Sequence, residues 1–71
     1  MRRRTEYERI RAVLEQADVE DPLTSREIYE VLSDHGVDVD SPHLVATILG
    51  RRAGRGDVEV IRGHPYRYEI Q

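Results

Sequence analysis

Three histidines carry most of the chemistry that a short sequence without cysteine can offer, and their spacing argues against catalysis. His35, His43 and His64 fall in three different predicted elements, and no two of them have the spacing of a metal-ligand pair. The acid-rich stretch 34–40 lacks the glycine and glutamate placement of a calcium loop. No serine has a histidine and an acid arranged around it, as a nucleophile requires. We therefore expect neither an enzyme nor a bound cofactor, metal or small-molecule substrate.

Arginine is the other residue type that can act on a partner. All 11 basic residues of the 71-residue chain are arginine, set against 14 carboxylates, for a net charge of −3. Residues 1–40 hold 6 arginines and 11 acids (−5), whereas residues 41–71 hold 5 arginines and 3 acids (+2). No carboxylate occurs from Ser41 to Gly56. This segregation predicts a polarised surface, with cationic side chains placed to meet phosphate.

The acidic excess without lysine resembles the proteins of extreme halophiles, which keep hydrated carboxylates in molar salt. The alternative is a GC-rich genome, which favours arginine codons over lysine codons. No apolar run approaches the length of a membrane span, and no apolar segment follows the arginine run at residues 2–4 as in a signal peptide. We expect one small domain with a cytoplasmic location and no membrane partner.

Apolar residues at helical spacing predict two helices in the first half of the chain. The first covers about 5–17 and is capped by Thr5. Thr24 and Glu27 form a capping-box pattern that opens the second helix. Its predicted inner face comprises Ile28, Val31, Leu32 and His35. Leu23, between the two helices, is predicted to form an isolated extended bridge.

The second half of the chain predicts a third helix and then a change of period. Ser41 and Pro42 mark the start of a helix over about 42–53, because serine caps a first turn and proline lacks the amide that this turn leaves free. Its predicted inner face comprises Leu44, Val45, Ile48 and Leu49. The period then falls from 3.6 to 2, which predicts an antiparallel hairpin with strands over 58–62 and 66–70. Tyr66 and Tyr68 lie on one face of that hairpin and are predicted to fill the core. The alternative is that both rings are exposed and stack on bases.

Three helices followed by a hairpin define an α+β fold whose order resembles the winged helix-turn-helix DNA-binding domains of archaeal and bacterial regulators. The resemblance covers residues 5–71 and rests on Leu23–Ile28, Gly36–Val37, Ser41–Leu49 and the hairpin. It implies a three-helix bundle followed by a hairpin wing. Residues 1–4, which precede the resemblance, are predicted to form a flexible arginine-rich terminus. The resemblance also implies that the third helix enters the major groove of duplex DNA, while the wing contacts the backbone or the minor groove.

Residue types on the third helix are compatible with this implied role. Its outer face is predicted to present His43, Ala46, Thr47 and Gly50. Small residues allow a helix to approach base edges closely, and Thr47 offers both a hydroxyl and a methyl group. Phosphates are predicted to bind the three arginines at the C-terminal end, Arg51, Arg52 and Arg55. The alternative is an ordinary solvent-exposed face, although such a face in so charged a chain should carry carboxylates.

The hairpin turn supplies three further candidate residues. Arg62, His64 and Arg67 surround it and are predicted to contact phosphate or a narrow minor groove. The alternative is that the two arginines pair across the strands with Glu59 and Glu69.

The second helix and the N terminus supply weaker candidates. Arg26, in the first turn of the second helix, either helps to hold a phosphate or pairs with Glu30. The arginines at residues 2–4 form either an arm that grips DNA or a solvated terminus.

Together these residues predict a small transcriptional regulator that binds double-stranded DNA, with a homodimer on two half-sites as a further expectation. The alternative, from another functional class, is a winged-helix module for protein–protein interaction whose acidic helical face binds a basic partner.

Overall fold

The computed structural model describes residues 5–71, which form three α-helices and a small antiparallel sheet. The elements follow one another as α1 (Glu6–Gln16), β1 (Leu23–Thr24), α2 (Ser25–Asp34), α3 (Pro42–Ala53), β2 (Val58–Ile61) and β3 (Arg67–Ile70). The predicted α+β class, the helices and the C-terminal hairpin are confirmed. The bridge predicted at Leu23 is a two-residue strand that joins the sheet. The prediction of a flexible terminus at residues 1–4 lies outside the described residues.

Hydroxyl side chains begin all three helices, because each satisfies an amide that the first turn leaves without a helical partner. Thr5 Oγ1 accepts from the Glu8 amide at 3.1 Å, and the Glu8 carboxylate accepts from the Thr5 amide at 2.8 Å. Thr24 and Glu27 form the same reciprocal pair at 3.1 and 2.9 Å. Ser41 caps α3 through its hydroxyl oxygen. The predicted helix starts are therefore confirmed.

The end of α2 differs in one respect from the expectation. Gly36 has a φ of +75°, in the left-handed region that glycine adopts without steric cost, and the helix stops before it. His35 is the C-terminal cap, is exposed, and holds its Nδ1 2.9 Å from the Val31 carbonyl oxygen. The prediction that His35 lines the inner face is wrong, because the ring lies at the helix end and folds back on the backbone.

The central strand of the sheet is β3, which lies between β1 and β2. Tyr68 pairs with Leu23 on one side and with Val60 on the other, and its side chain is buried. Both pairings are antiparallel. The short strand before α2 therefore ties the C-terminal hairpin to the helices.

The tip of the hairpin extends beyond the core. Tyr66 is 47% exposed, so the prediction that it fills the core beside Tyr68 is wrong. It precedes Arg67, the first paired residue of β3, and every residue from 61 to 67 is exposed. The alternation of inward and outward residues along the strand continues to Tyr66, but the helices do not extend far enough to cover this end of the sheet.

The core is formed where the three helices meet one face of the sheet. Its least exposed side chains are Ile10, Ile28, Leu32, Val45 and Leu49. Val58 and Tyr68 close it from the sheet. Fully burying an aliphatic side chain of this kind contributes about 1.5–3 kcal/mol, so these residues fix how α3 sits on α2. Within residues 5–71, none of the helices combines the length and apolar character needed to cross a bilayer.

The Thr24–Glu27 pair links the stability of the fold to pH. The hydrogen bonds with Thr24 hold the pKa of Glu27 below its usual value of 4.5, and the Arg67 guanidinium acts in the same direction. A carboxyl whose folded-state pKa is lowered stabilises the fold above its unfolded-state pKa. That contribution is lost as the pH falls through the lower, folded-state pKa.

We expect Glu27→Gln to be less stable than the wild type at neutral pH, by a difference that shrinks as the pH falls from about 5 towards about 3. Urea unfolding at a series of pH values measures it. Glu30→Gln, one turn further along α2, is the control. If both variants follow the same pH profile, Glu27 has no special role in the cap.

Candidate nucleic-acid interface

The packing of α3 determines which of its side chains face outward. Val45 and Leu49 are fully buried against the other elements. Positions four residues apart lie on one line along a helix, so His43, Thr47 and Arg51 form a line on the side opposite to them. We call these three residues the outer row. His43 and Arg51 are exposed and Thr47 is partly exposed.

Thr47 occupies the middle of the outer row. Its hydroxyl donates to the His43 carbonyl oxygen at 3.1 Å, a bond to the preceding turn of the helix. This bond fixes the side-chain rotamer, and the methyl group is then the part of the side chain without a partner in the helix.

Gly50 lies beside the outer row, in the interior of α3. A Cβ atom built at this position meets no heavy atom within 4 Å, and the residue is exposed. The fold therefore does not require a glycine here, although glycine in a helix interior costs about 0.8–1 kcal/mol relative to alanine. Its effect is to leave the helix backbone open to a close approach from outside.

The C-terminal end of α3 and the start of α1 enclose an arginine-lined cleft of about 430 Å³. Three arginines and one carboxylate line it together with three uncharged residues: Arg51, Arg52, Arg55, Glu6, Thr5, Tyr7 and Ile48. Within residues 5–71, neither Arg51 nor Arg55 forms an ion pair with a carboxylate, and both are exposed. These two guanidinium groups are available to an anion.

Arg52 differs from its neighbours, because its guanidinium is directed into the protein. It lies 4.5 Å above the centre of the Tyr7 ring, and its Nη1 donates to the Asp57 carboxylate at 3.4 Å. The side chain is 24% exposed. The structure thus gives Arg52 intramolecular partners in place of the phosphate that the sequence predicts for it.

Asp57 is the residue of this region that the sequence analysis missed. Its carbonyl oxygen accepts from the Gln71 amide at 2.9 Å and from the Tyr7 hydroxyl at 3.4 Å. Its own amide donates to the Arg52 carbonyl oxygen at 3.1 Å. Burial, together with the Asp57 charge, raises the pKa of Tyr7. No local signal predicts the contact with Tyr7, because the two residues are 50 positions apart.

The hairpin arginines do not form the cross-strand ion pairs that were the alternative to a contact with DNA. Glu59 lies opposite Glu69, whereas Arg67 lies opposite Ile61, and no ion pair involves Arg67 within the described chain. Like charges placed directly opposite each other do not stabilise a sheet. Arg62, at the end of this ribbon, is exposed, as are His64 and Arg67. Their positive charge is therefore directed to solvent.

Arg67 also brings the hairpin close to the start of α2. It pairs with Thr24 across β1 and β3, and its charge lowers the pKa of Glu27. Arg26 lies in the same first turn of α2 and is exposed. The alternative partner, Glu30, does not form an ion pair with it in the part of the chain that the structure describes. Arg26 and Arg67 are thus placed in one region.

A second cleft, of about 350 Å³, has the opposite charge. The C-terminal half of α1 and the strands β1 and β3 enclose it, and no residue of α3 lines it. Its floor is apolar, from Leu14, Val19, Leu23, Ile28, Tyr68 and Ile70. Its rim carries the carboxylates Glu15, Glu20, Asp21 and Glu69, with one cation, Arg11, that pairs with Glu15 at 3.5 Å. The charge segregation in the sequence is therefore also present in the two clefts.

The chain matches no family model, no curated protein and no solved structure in three comparisons with known proteins. Among residues 5–71, no group of three or more histidine and acidic side chains is placed to hold a metal ion.

We expect Arg52→Ala to lower the free energy of unfolding by about 1–2 kcal/mol, because it removes both the contact with Tyr7 and the ion pair with Asp57. Arg51→Ala, one position earlier and exposed, should change it by less than about 0.5 kcal/mol. Urea unfolding of the two variants makes the comparison. Equal stability of both would mean that the Arg52 contacts contribute nothing.

Proposed function

We propose that this protein binds double-stranded DNA as a small transcriptional regulator with a winged-helix fold. The observation that carries the proposal is the outward side of α3. There the histidine, threonine and arginine of the outer row lie beside a glycine, Gly50, that the packing of the fold does not require. No carboxylate interrupts residues 41–56, in a chain in which 35% of all residues are charged. A solvated face without a partner has no reason to exclude carboxylates.

The dimensions of α3 are compatible with the major groove. A helix with its side chains is about 10–12 Å across, and the major groove of B-DNA is about 12 Å wide. Because α2 and β2 pack against the inner side of α3, the outer row is the side that enters the groove. His43, in the first turn, then lies at the end of a recognition helix that usually contacts bases.

Phosphate contacts come from the exposed arginines. Arg51 and Arg55 hold the DNA backbone beside the groove, since neither is neutralised by a carboxylate in the described chain. The β2–β3 hairpin is the wing of this proposal, and Arg62, His64 and Arg67 carry its charge to the backbone or the minor groove. Arg26 adds charge near Arg67, whereas Arg52 serves the fold.

One copy of α3 spans only a few base pairs. Specific regulation therefore calls for a homodimer that places two copies of the helix about one DNA turn apart, roughly 34 Å.

A protein–protein interaction module is the second candidate function. The acidic cleft between α1 and the sheet favours it, because an apolar floor with a carboxylate rim suits a basic segment of another protein. In that case α3 would take no part in binding.

A salt titration tests DNA binding. With random-sequence duplex DNA, the logarithm of the affinity should fall linearly with the logarithm of the KCl concentration. Arg51→Gln should weaken binding to all sequences and reduce the slope by about 1, because one phosphate contact is lost. Arg11→Gln, on the rim of the acidic cleft, is the matched control and should leave both unchanged. Circular dichroism at each salt concentration verifies that the chain is folded.

No binding at any salt concentration would contradict the proposal. An equal effect of Arg11→Gln and Arg51→Gln would reduce it to unspecific attraction. Binding of a basic partner protein that is abolished by Glu20→Lys would favour the second function.

Gly50→Ala separates the needs of the fold from those of binding. The variant should raise the free energy of unfolding by about 0.5–1 kcal/mol, because alanine favours the helix and its Cβ meets open space. It should also weaken duplex binding, since that Cβ occupies the space between α3 and the bases. Ser33→Ala is the control: it is made at an exposed position on α2, improves helix propensity and should leave the affinity for DNA unchanged. A variant that is more stable and binds DNA with unchanged affinity would exclude a close approach at Gly50.

A further inference from the structure

The base that α3 can recognise is restricted by the residue types on its outward side. Adenine is usually recognised by asparagine or glutamine, and cytosine is contacted by aspartate or glutamate. Residues 41–56 contain none of these four types. The remaining contacts in the major groove are those of arginine with guanine, of an apolar group with the methyl group of thymine, and of a serine or threonine hydroxyl with several of the bases.

Thr47 is the residue whose position and conformation fit the second kind of contact. It lies in the middle of the outer row, one turn from both His43 and Arg51. Its hydroxyl is held by the His43 carbonyl oxygen, so the methyl group is its free end. Gly50, nearby on the same side, adds no side chain that would keep this methyl group away from the bases.

Resting on the proposed function, we infer that Thr47 determines sequence specificity through its methyl group, which contacts the C5 methyl of thymine in the major groove. The hydroxyl of Thr47 orients that methyl through its bond to the helix and does not itself bind a base. The preferred site of the protein therefore contains a T·A pair opposite the centre of α3.

Uracil provides the test, because it pairs as thymine does but lacks the C5 methyl group. The probes are an alternating dA-dT duplex and the same duplex with dU in place of every dT. The wild-type protein should bind the dT duplex about fourfold more tightly, which corresponds to about 0.8 kcal/mol for one buried carbon group.

Two substitutions separate the contribution of the Thr47 methyl group from that of its hydroxyl. Thr47→Val keeps a methyl group in the same place and removes the hydroxyl, so it should retain the preference for dT. Thr47→Ser keeps the hydroxyl and its bond to the His43 carbonyl but removes the methyl, so it should bind both duplexes equally. Circular dichroism and urea unfolding establish that both variants fold like the wild type.

Each other result has a defined meaning. Equal binding of both duplexes by the wild type overturns the inference, as does a preference that Thr47→Ser retains, which would arise from DNA shape. Loss of the preference in Thr47→Val would assign recognition to the hydroxyl and overturn it too. Failure to bind either duplex, or random-sequence DNA at any salt concentration, contradicts the proposed function itself.

Discussion

Asp57 joins distant parts of the fold through the hydrogen bonds of a single residue. Its carboxylate holds Arg52 from α3, its carbonyl oxygen accepts from Tyr7 in α1 and from Gln71 after β3, and β2 follows it directly. A domain of this size buries little surface, so the angle between its helices and its sheet depends on a few contacts of this kind. Asp57 therefore links α3, α1 and the end of β3 at the start of β2, in addition to the apolar packing of α3 on β2.

Once α3 is held in this way, the side chains on its outward side are not needed for packing or capping. The buried residues Val45 and Leu49 meet the packing requirement, and Ser41 meets the capping requirement. The outer row and Gly50 remain on the outside, and no neighbouring atom requires a glycine at position 50. Glycine at this position costs the helix about 1 kcal/mol relative to alanine, and the proposed contact with DNA supplies a reason for it that the fold does not.

Local signals in the sequence predicted most of the fold, whereas contacts between distant residues were not predictable. The capping pattern at Thr24 involves neighbours in the chain, so the start of α2 could be inferred directly. Alternation places Tyr66 on the inner face of its strand but does not show where the helices stop covering that face. Arg52 resembles the other arginines of the candidate site, because its partners Tyr7 and Asp57 come together only in the folded chain. The outward positions of His43, Thr47 and Gly50 were predictable, since they lie opposite most of the apolar positions of α3. Ala46 was wrongly predicted to face outward, because it is half-buried and packs against the core, whereas Leu44 is not among the residues packed there.

The most direct test of the account maps amide chemical shifts while duplex DNA is added to the protein. We expect the changes to concentrate at residues 43–55, in α3 and the following turn, and at residues 62–67 of the hairpin. Amides along the rim of the acidic cleft, at residues 15–21, should remain unchanged. Changes centred on residues 15–21, or no changes with any duplex, would contradict it.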